Sequence, residues 1–190
     1  MASSVRVAAT LLLSLCSACS FAVSADGVIP GVPKGSTVYT LTNLHPDEQN
    51  RRLYSANFQQ PGLIPICSEV TLLKCRDDYM SFRVNATRTE CEYPIHKAGG
   101  ESLKDNLALY FGTECPKAEL DSLTPEERDS VRFGVVAVGM RKKAVLLALG
   151  YPPLRDTPSL ESPRWRYWHS RWNSFIVGFD DQGKVIRIAQ

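Results

Sequence analysis

Residues 139–188 limit the fold more than any other stretch: GMRKKAVLLALGYPP, a polar connection containing prolines, then WRYWHSRWNSFIVGFDDQGKVIRI. Between Arg141 and Gly150, residues Ala144, Val145, Ala148 and Leu149 share one side at helical spacing, and Leu146 and Leu147 widen it. That pattern predicts a largely buried helix. Gly150 supplies the stop, and Tyr151-Pro152-Pro153 forbids continuation. Residues 154–163 then read as a loop. Strands are predicted over 164–169 and 173–179, the second with Phe175, Val177 and Phe179 on one face. Asp180-Asp181-Gln182-Gly183 is turn chemistry before a last strand over 184–188.

The chain before it changes period. Short β-like runs over 37–41, 53–58, 70–75, 79–84 and 88–95 are separated mostly by turn-forming residues, with a helical turn expected over 47–52. Residues 101–111 place Leu103 and Leu107 at helical spacing, with Gly112 as the terminator. Thr124-Pro125-Glu126-Glu127 reads as a helix start running towards Arg132: a cap, a proline at the first helical position, then acids near the positive end of the helix dipole. The class expected is α+β. A β-rich domain of SH3-like size with a terminal helix would occupy 36–116, and a helical and stranded domain 117–190.

The first residues set the expected compartment. Arg6, the apolar run Val7 to Leu15 and small residues up to Ala25 have the layout of a bacterial export signal. Cleavage after Ala25 would leave a Gly- and Pro-rich leader over 26–35. Alternatively, Cys19, preceded by Ser17-Ala18, is a candidate lipidation site. Export would place four remaining cysteines, Cys67, Cys75, Cys91 and Cys115, in an oxidising compartment, where two disulfides are expected in one of three pairings. Joining Cys67 to Cys75 or Cys91 would close short loops. Metal is disfavoured, because no CxxC occurs and His45, His96 and His169 keep no regular spacing from the cysteines.

No cofactor is expected, and no catalytic set stands out. The thiol candidates Cys67, Cys91 and Cys115, with His96 or His169 as a base, lack any local signature, and disulfides explain the same cysteines more simply. A formal net charge of +2 with scattered basic residues gives no stripe suited to nucleic acid. The candidate contact surface is the basic helix start, Arg141, Lys142 and Lys143, with the aromatic group Trp165, Tyr167, Trp168 and Trp172. Most of these aromatics are expected to pack on the helix, leaving an exposed subset to meet a partner.

Gly139-Met140, Leu149-Gly150-Tyr151-Pro152, the Trp165 to Trp168 group and the run from Phe179 to Val185 resemble the SmpA/OmlA family, which includes the small lipoprotein of the outer-membrane β-barrel assembly machine. The resemblance covers the last third of the chain and departs at Arg141, where the family usually has a capping Thr. It implies a two-layer fold of two helices followed by three antiparallel strands. It also implies a non-enzymatic, structural or assembly role through protein contact at the periplasmic face of the outer membrane. Envelope proteins, among them outer-membrane assembly components, would be the partners, and any membrane attachment would be through a lipid anchor. The alternative is a periplasmic binding module for peptide or cell-wall material, or an inhibitor of a secreted enzyme.

Overall fold

The computed structural model describes residues 33–76, 78–95 and 103–190. The candidate export signal with Cys19, most of the leader and His96 lie outside them. The class is α+β, with two antiparallel sheets and four short helices among the described residues. Strands β1 (Thr37–Thr40), β2 (Glu69–Arg76), β3 (Tyr79–Val84), β4 (Glu90–Pro94) and the two-residue β5 (Phe111–Gly112) form one sheet in the order β4-β3-β2-β1-β5. Strands β6 (Arg164–Ser170), β7 (Asn173–Phe179) and β8 (Val185–Ala189) form the other, in sequence order.

The helices are α1 (Leu103–Tyr110), α2 (Lys117–Asp121), α3 (Pro125–Phe133) and α4 (Lys142–Leu149). The start of α3 is a full capping box. Thr124 Oγ1 accepts from Glu127 N–H at 3.2 Å, and Glu127 Oε2 accepts from Thr124 N–H at 3.1 Å. Its end is set by Gly134 at φ 64°, with the N–H groups of Gly134 and Val135 returning to the carbonyls of Val131 and Ser130. Glycine is required there twice over, since a Cβ would lie 2.8 Å from both His45 Cε1 and Leu63 Cδ1.

Two apolar clusters form. The first gathers Val38, Val70, Leu72, Met80, Phe82, Leu107 and Phe111 about the five-stranded sheet. The second packs Val131, Ala144, Val145 and Ala148 of α3 and α4 against Trp165, Tyr167, Phe175, Val177, Phe179 and Val185. In β6 and β7 the alternation of the sequence becomes an alternation of burial, so one face of this sheet is core and the other is open.

Four expectations are corrected. Residues 53–58 form no strand: they run through turns, with Asn57 at φ 46°, and their polar groups serve the other half of the molecule. Residues 47–52 are not helical, because reciprocal backbone bonds between Asp47 and Arg52 close a loop, with Arg51 at φ 51°. Gly112 does not merely end α1, since Phe111–Gly112 pairs with Tyr39 and Thr40 of β1. The cysteines form one bridge, Cys67 to Cys115, and Cys75 and Cys91 are free thiols. Cys75 is on β2 and Cys91 on β4, with β3 between them. Two strand spacings hold their backbones roughly 10 Å apart, beyond disulfide reach.

Candidate functional site

The exit of α4 is where the two clusters join. A helix leaves its last four carbonyls without intrahelical partners. Here residues from the first half supply most of the missing donors. Asn43 N–H reaches Leu147 O at 2.9 Å, and Asn43 Nδ2 reaches Ala148 O at 3.2 Å and Val131 O at 2.6 Å. His45 Nε2 donates to Ala148 O at 3.0 Å. Leu149 O accepts from Asn57 Nδ2 at 2.8 Å and Gln59 Nε2 at 2.9 Å, and Asn57 Nδ2 also meets Tyr151 O at 2.7 Å. Tyr167 Oη closes the series on Gly150 O at 2.9 Å. Asn43 is itself fully used, its Oδ1 accepting from Ile66 N–H at 2.8 Å. Burial holds the His45 imidazole below its usual range, outweighing its bonds to the backbone of Ala148 and Gln60, so the ring is held neutral.

The entrance of α4 is secured differently. Arg141 is its N-cap but makes no side-chain cap. Its guanidinium instead grips Glu127 through Nε (2.9 Å) and Nη2 (2.5 Å), while Arg141 N–H bonds Glu127 Oε1 at 2.9 Å. These bonds hold the Glu127 carboxyl down at about 2, against the opposing effect of its burial. Arg141 also donates to Ser122 O at 2.8 Å. It is therefore a structural tie between α3 and α4 rather than a free contact residue.

The other predicted contact residues divide. Trp165 and Tyr167 are completely buried, so neither is available to a partner; their area is what holds the sheet on the helices. Lys142 lies over the rings of Trp165 and Phe179 at 5.5 and 5.4 Å and donates to Leu160 O. Lys143 makes an exposed pair with Glu119 at 3.2 Å. Trp168 is half-buried, its Nε1–H donated to Asp156 Oδ2 at 2.9 Å. Trp172, at the β6–β7 turn, is 87 % exposed.

A stretch with no periodic signal provides the open apolar surface. Phe133 (64 % exposed) ends α3 and Val135 and Val138 (67 % exposed) follow it, while Ile186 and Ile188 are exposed on the edge strand β8. Gly139 N–H bonds Val185 O at 2.7 Å and fastens this loop to β8. Phe133, Val135 and Ile188, together with Leu63, Phe175 and the two histidines His45 and His169, line a cleft of about 400 Å³. Gln60 Nε2 donates to His169 O, and His169 Nδ1 bonds Gln59 O at 3.2 Å, so the cleft floor is the same seam that caps α4. The one available clue in sequence was Phe-Gly-Val-Val-Ala-Val, an apolar run placed just past a helix stop.

Among the described residues the thiols show no catalytic pairing. Cys67 and Cys115 are bonded to each other, and burial pushes Cys75 up to about 11 and Cys91 above its usual range, which keeps both protonated. Cys91 lines a separate cavity of about 350 Å³ with Arg51, Ile64 and Thr89, whereas His169 lines the apolar cleft. Among the described residues no group of three His, Cys, Asp or Glu side chains is placed to hold a metal ion. No protein-family model matches this chain, and neither a curated protein nor a solved structure matches it significantly.

Proposed function

We propose that this chain is a non-enzymatic bacterial envelope protein with a structural or assembly role, acting by protein contact at the outer membrane. The observation that carries this reading is the exposed apolar surface of Phe133, Val135 and Ile188 at the cleft, with Val138 and Ile186 also exposed on the same loop and strand. Contiguous apolar surface of this kind marks contact sites. The loop that carries it is fastened to β8 by the Gly139 N–H bond to Val185 O, which reduces the order lost when a partner covers it. The resemblance of residues 139–188 to the SmpA/OmlA family supports the same role. On this reading α3, α4 and β6–β8 are that family's two-layer arrangement of helices on a three-stranded sheet. The five-stranded sheet is an added SH3-like domain. Export would follow the signal at the amino terminus, with Cys19 as the lipid-bearing residue or Ala25 as the cleavage point.

The test is a photo-crosslinking residue at Val138 in the intact cell. Adducts with barrel-assembly components are expected, and they should disappear when Phe133→Ser is added. Recovery of an uncrosslinked, monomeric protein from gently solubilised membranes sinks the proposal. The mass of the mature amino terminus reports separately on lipidation.

A second reading, a periplasmic binding module, draws on a cavity of about 280 Å³ lined by Tyr110, Tyr151, Pro152, Pro153, Leu154 and Pro158. Retention of the purified mature protein on peptidoglycan, lost with Leu154→Asp, supports that module. Failure to sediment with wall fragments removes it.

A further inference from the structure

The open face of the second sheet is rich in arginine and tryptophan. Register places Arg164, Gly178 and Arg187 directly opposite one another across β6, β7 and β8. The next rung is Arg166, Ile176 and Ala189, and the one after that pairs Trp168 with Ser174. Arg171 and Trp172 stand at the turn beyond. No strand of this sheet contains an acidic residue. Among the described residues none of Arg164, Arg166, Arg171 and Arg187 has a carboxylate partner within ion-pairing distance. The nearest acids along the chain are Glu161, in the loop that enters β6, and Asp180 and Asp181, in the β7–β8 turn, while Asp156 accepts from Trp168.

Two details make this face more than a solvated basic surface. Gly178 leaves a bare spot between Arg164 and Arg187, whose backbones stand about 10 Å apart at the usual strand spacing. A Cβ added at Gly178 would come within 3.7 Å of Arg187 Cβ, which confirms that the two residues share this face. An oxyanion can therefore settle on the sheet with a guanidinium on either side. Further along, Arg166 and Arg171 lie over the rings of Trp168 and Trp172 at 5.8 and 5.9 Å. Arg166 is steadied by a 2.9 Å bond to Ser174 Oγ. Stacking holds a guanidinium in place while leaving outer N–H donors for phosphate or carboxylate oxygens.

We propose that this face binds an acidic glycan, with Arg164 and Arg187 holding one phosphate or carboxylate across Gly178, Arg166 and Arg171 holding further ones, and Trp172 stacking on a sugar ring. A repeating anionic chain matches a flat row of cations better than a compact protein does, because Ile176 is the only large aliphatic residue on these rungs and a protein interface centre needs more apolar area. The open ring of Trp172 suits the C–H face of a sugar, its electron-rich surface meeting weakly positive hydrogens. This face is separate from the apolar cleft, so the two proposals stand or fall independently.

The experiment is calorimetric titration of the full chain with polygalacturonate and with a phosphorylated mannan, over a series of salt concentrations. Binding is expected to weaken as salt rises. It should drop by about ten-fold or more in Arg164→Gln/Arg187→Gln, since each charge-assisted bond is worth more than a neutral one. Gly178→Glu should abolish binding by placing a carboxylate between the two guanidiniums, with an unchanged melting curve because the face is open. Trp172→Ser should weaken both glycans but leave binding of inorganic phosphate unaltered. The proposal is overturned if neither polymer binds at low salt, or if the arginine and Gly178 variants bind normally. It is equally overturned if poly-glutamate or anionic phospholipid vesicles bind more tightly than both glycans.

Discussion

The two ends of α4 solve one problem by opposite means. Its entrance is held by Arg141 and Glu127, fourteen residues apart and both within the second half. Its exit is held by Asn43, His45, Asn57 and Gln59, residues about a hundred positions earlier in the chain. One end uses charge and the other neutral amides and an uncharged imidazole. The near end is a local tie between consecutive helices, whereas the far end makes completion of the helix depend on the first half being folded.

The largest test of that difference acts on the disulfide. Cys67 follows Ile66, whose N–H is bonded to Asn43, so the bridge to Cys115 steadies the loop that presents the caps. Replacing both cysteines with serine should lower stability by about 4 kcal/mol, as expected for a loop of this length. Denaturant titration of the oxidised protein against the variant checks it. Survival of full stability would mean that the far end is fixed by the amides alone.

Asn43→Ala comes next, at about 3 kcal/mol, because it strands the buried groups on Val131, Ala148 and Ile66 together. A value under 1 kcal/mol on the same scale would show that water replaces the amide at the seam.

Acid should separate the two ends in order. His45 is depressed below its unfolded value of 6.5, so its contribution is present above that pH and is lost as pH falls below it. Glu127 is depressed from 4.5 to about 2, so its contribution is intact above about 4.5 and disappears as pH falls towards 2. Amide signals at residues 147–150 should therefore broaden at milder acidity than those at 141–143 in an NMR titration. Simultaneous loss would erase the distinction. Glu127→Gln should cost about 2 kcal/mol near neutrality, after discounting for water around the 41 %-exposed Arg141, and should flatten the lower part of the acid curve. The smallest effect belongs to Lys143→Ala, less than about 0.5 kcal/mol, since its pair with Glu119 is exposed on both sides.

The same contrast explains what could be read from sequence. The start of α3 was legible because Thr124, Pro125 and Glu127 are neighbours in the chain, and β7 because its alternation survives directly as burial. The stop at Gly150 was equally local. The segment around Leu53–Phe58 looked like a strand because apolar and aromatic residues suggested one. Its work is instead done by Asn57 and Gln59, whose partners lie more than ninety residues away. Arg141 read as a contact residue at a basic helix start, and only its bonds to Glu127, fourteen residues earlier, show it to be a tie between helices. Of the aromatic group, bulk alone could not say that Trp165 and Tyr167 turn inward while Trp172 turns out; the register of β6 decides that. The apolar loop at 135–138 lacked any period and so gave no signal beyond composition.

The capping of α4 by distant side chains also governs how the molecule opens. A helix terminated within its own segment can fray without disturbing anything else, but the last carbonyls of α4 are shared with the chain just after β1. Amide protons on residues 146–150 should then exchange with solvent at the same free energy as those of β1, in a single cooperative event, while those of Glu161 and Ser162, bonded only to Ser159 within their own loop, exchange by local opening. Two apolar clusters would behave as one unit of unfolding, and a fragment beginning after residue 116 would contain the helix without the means to finish it.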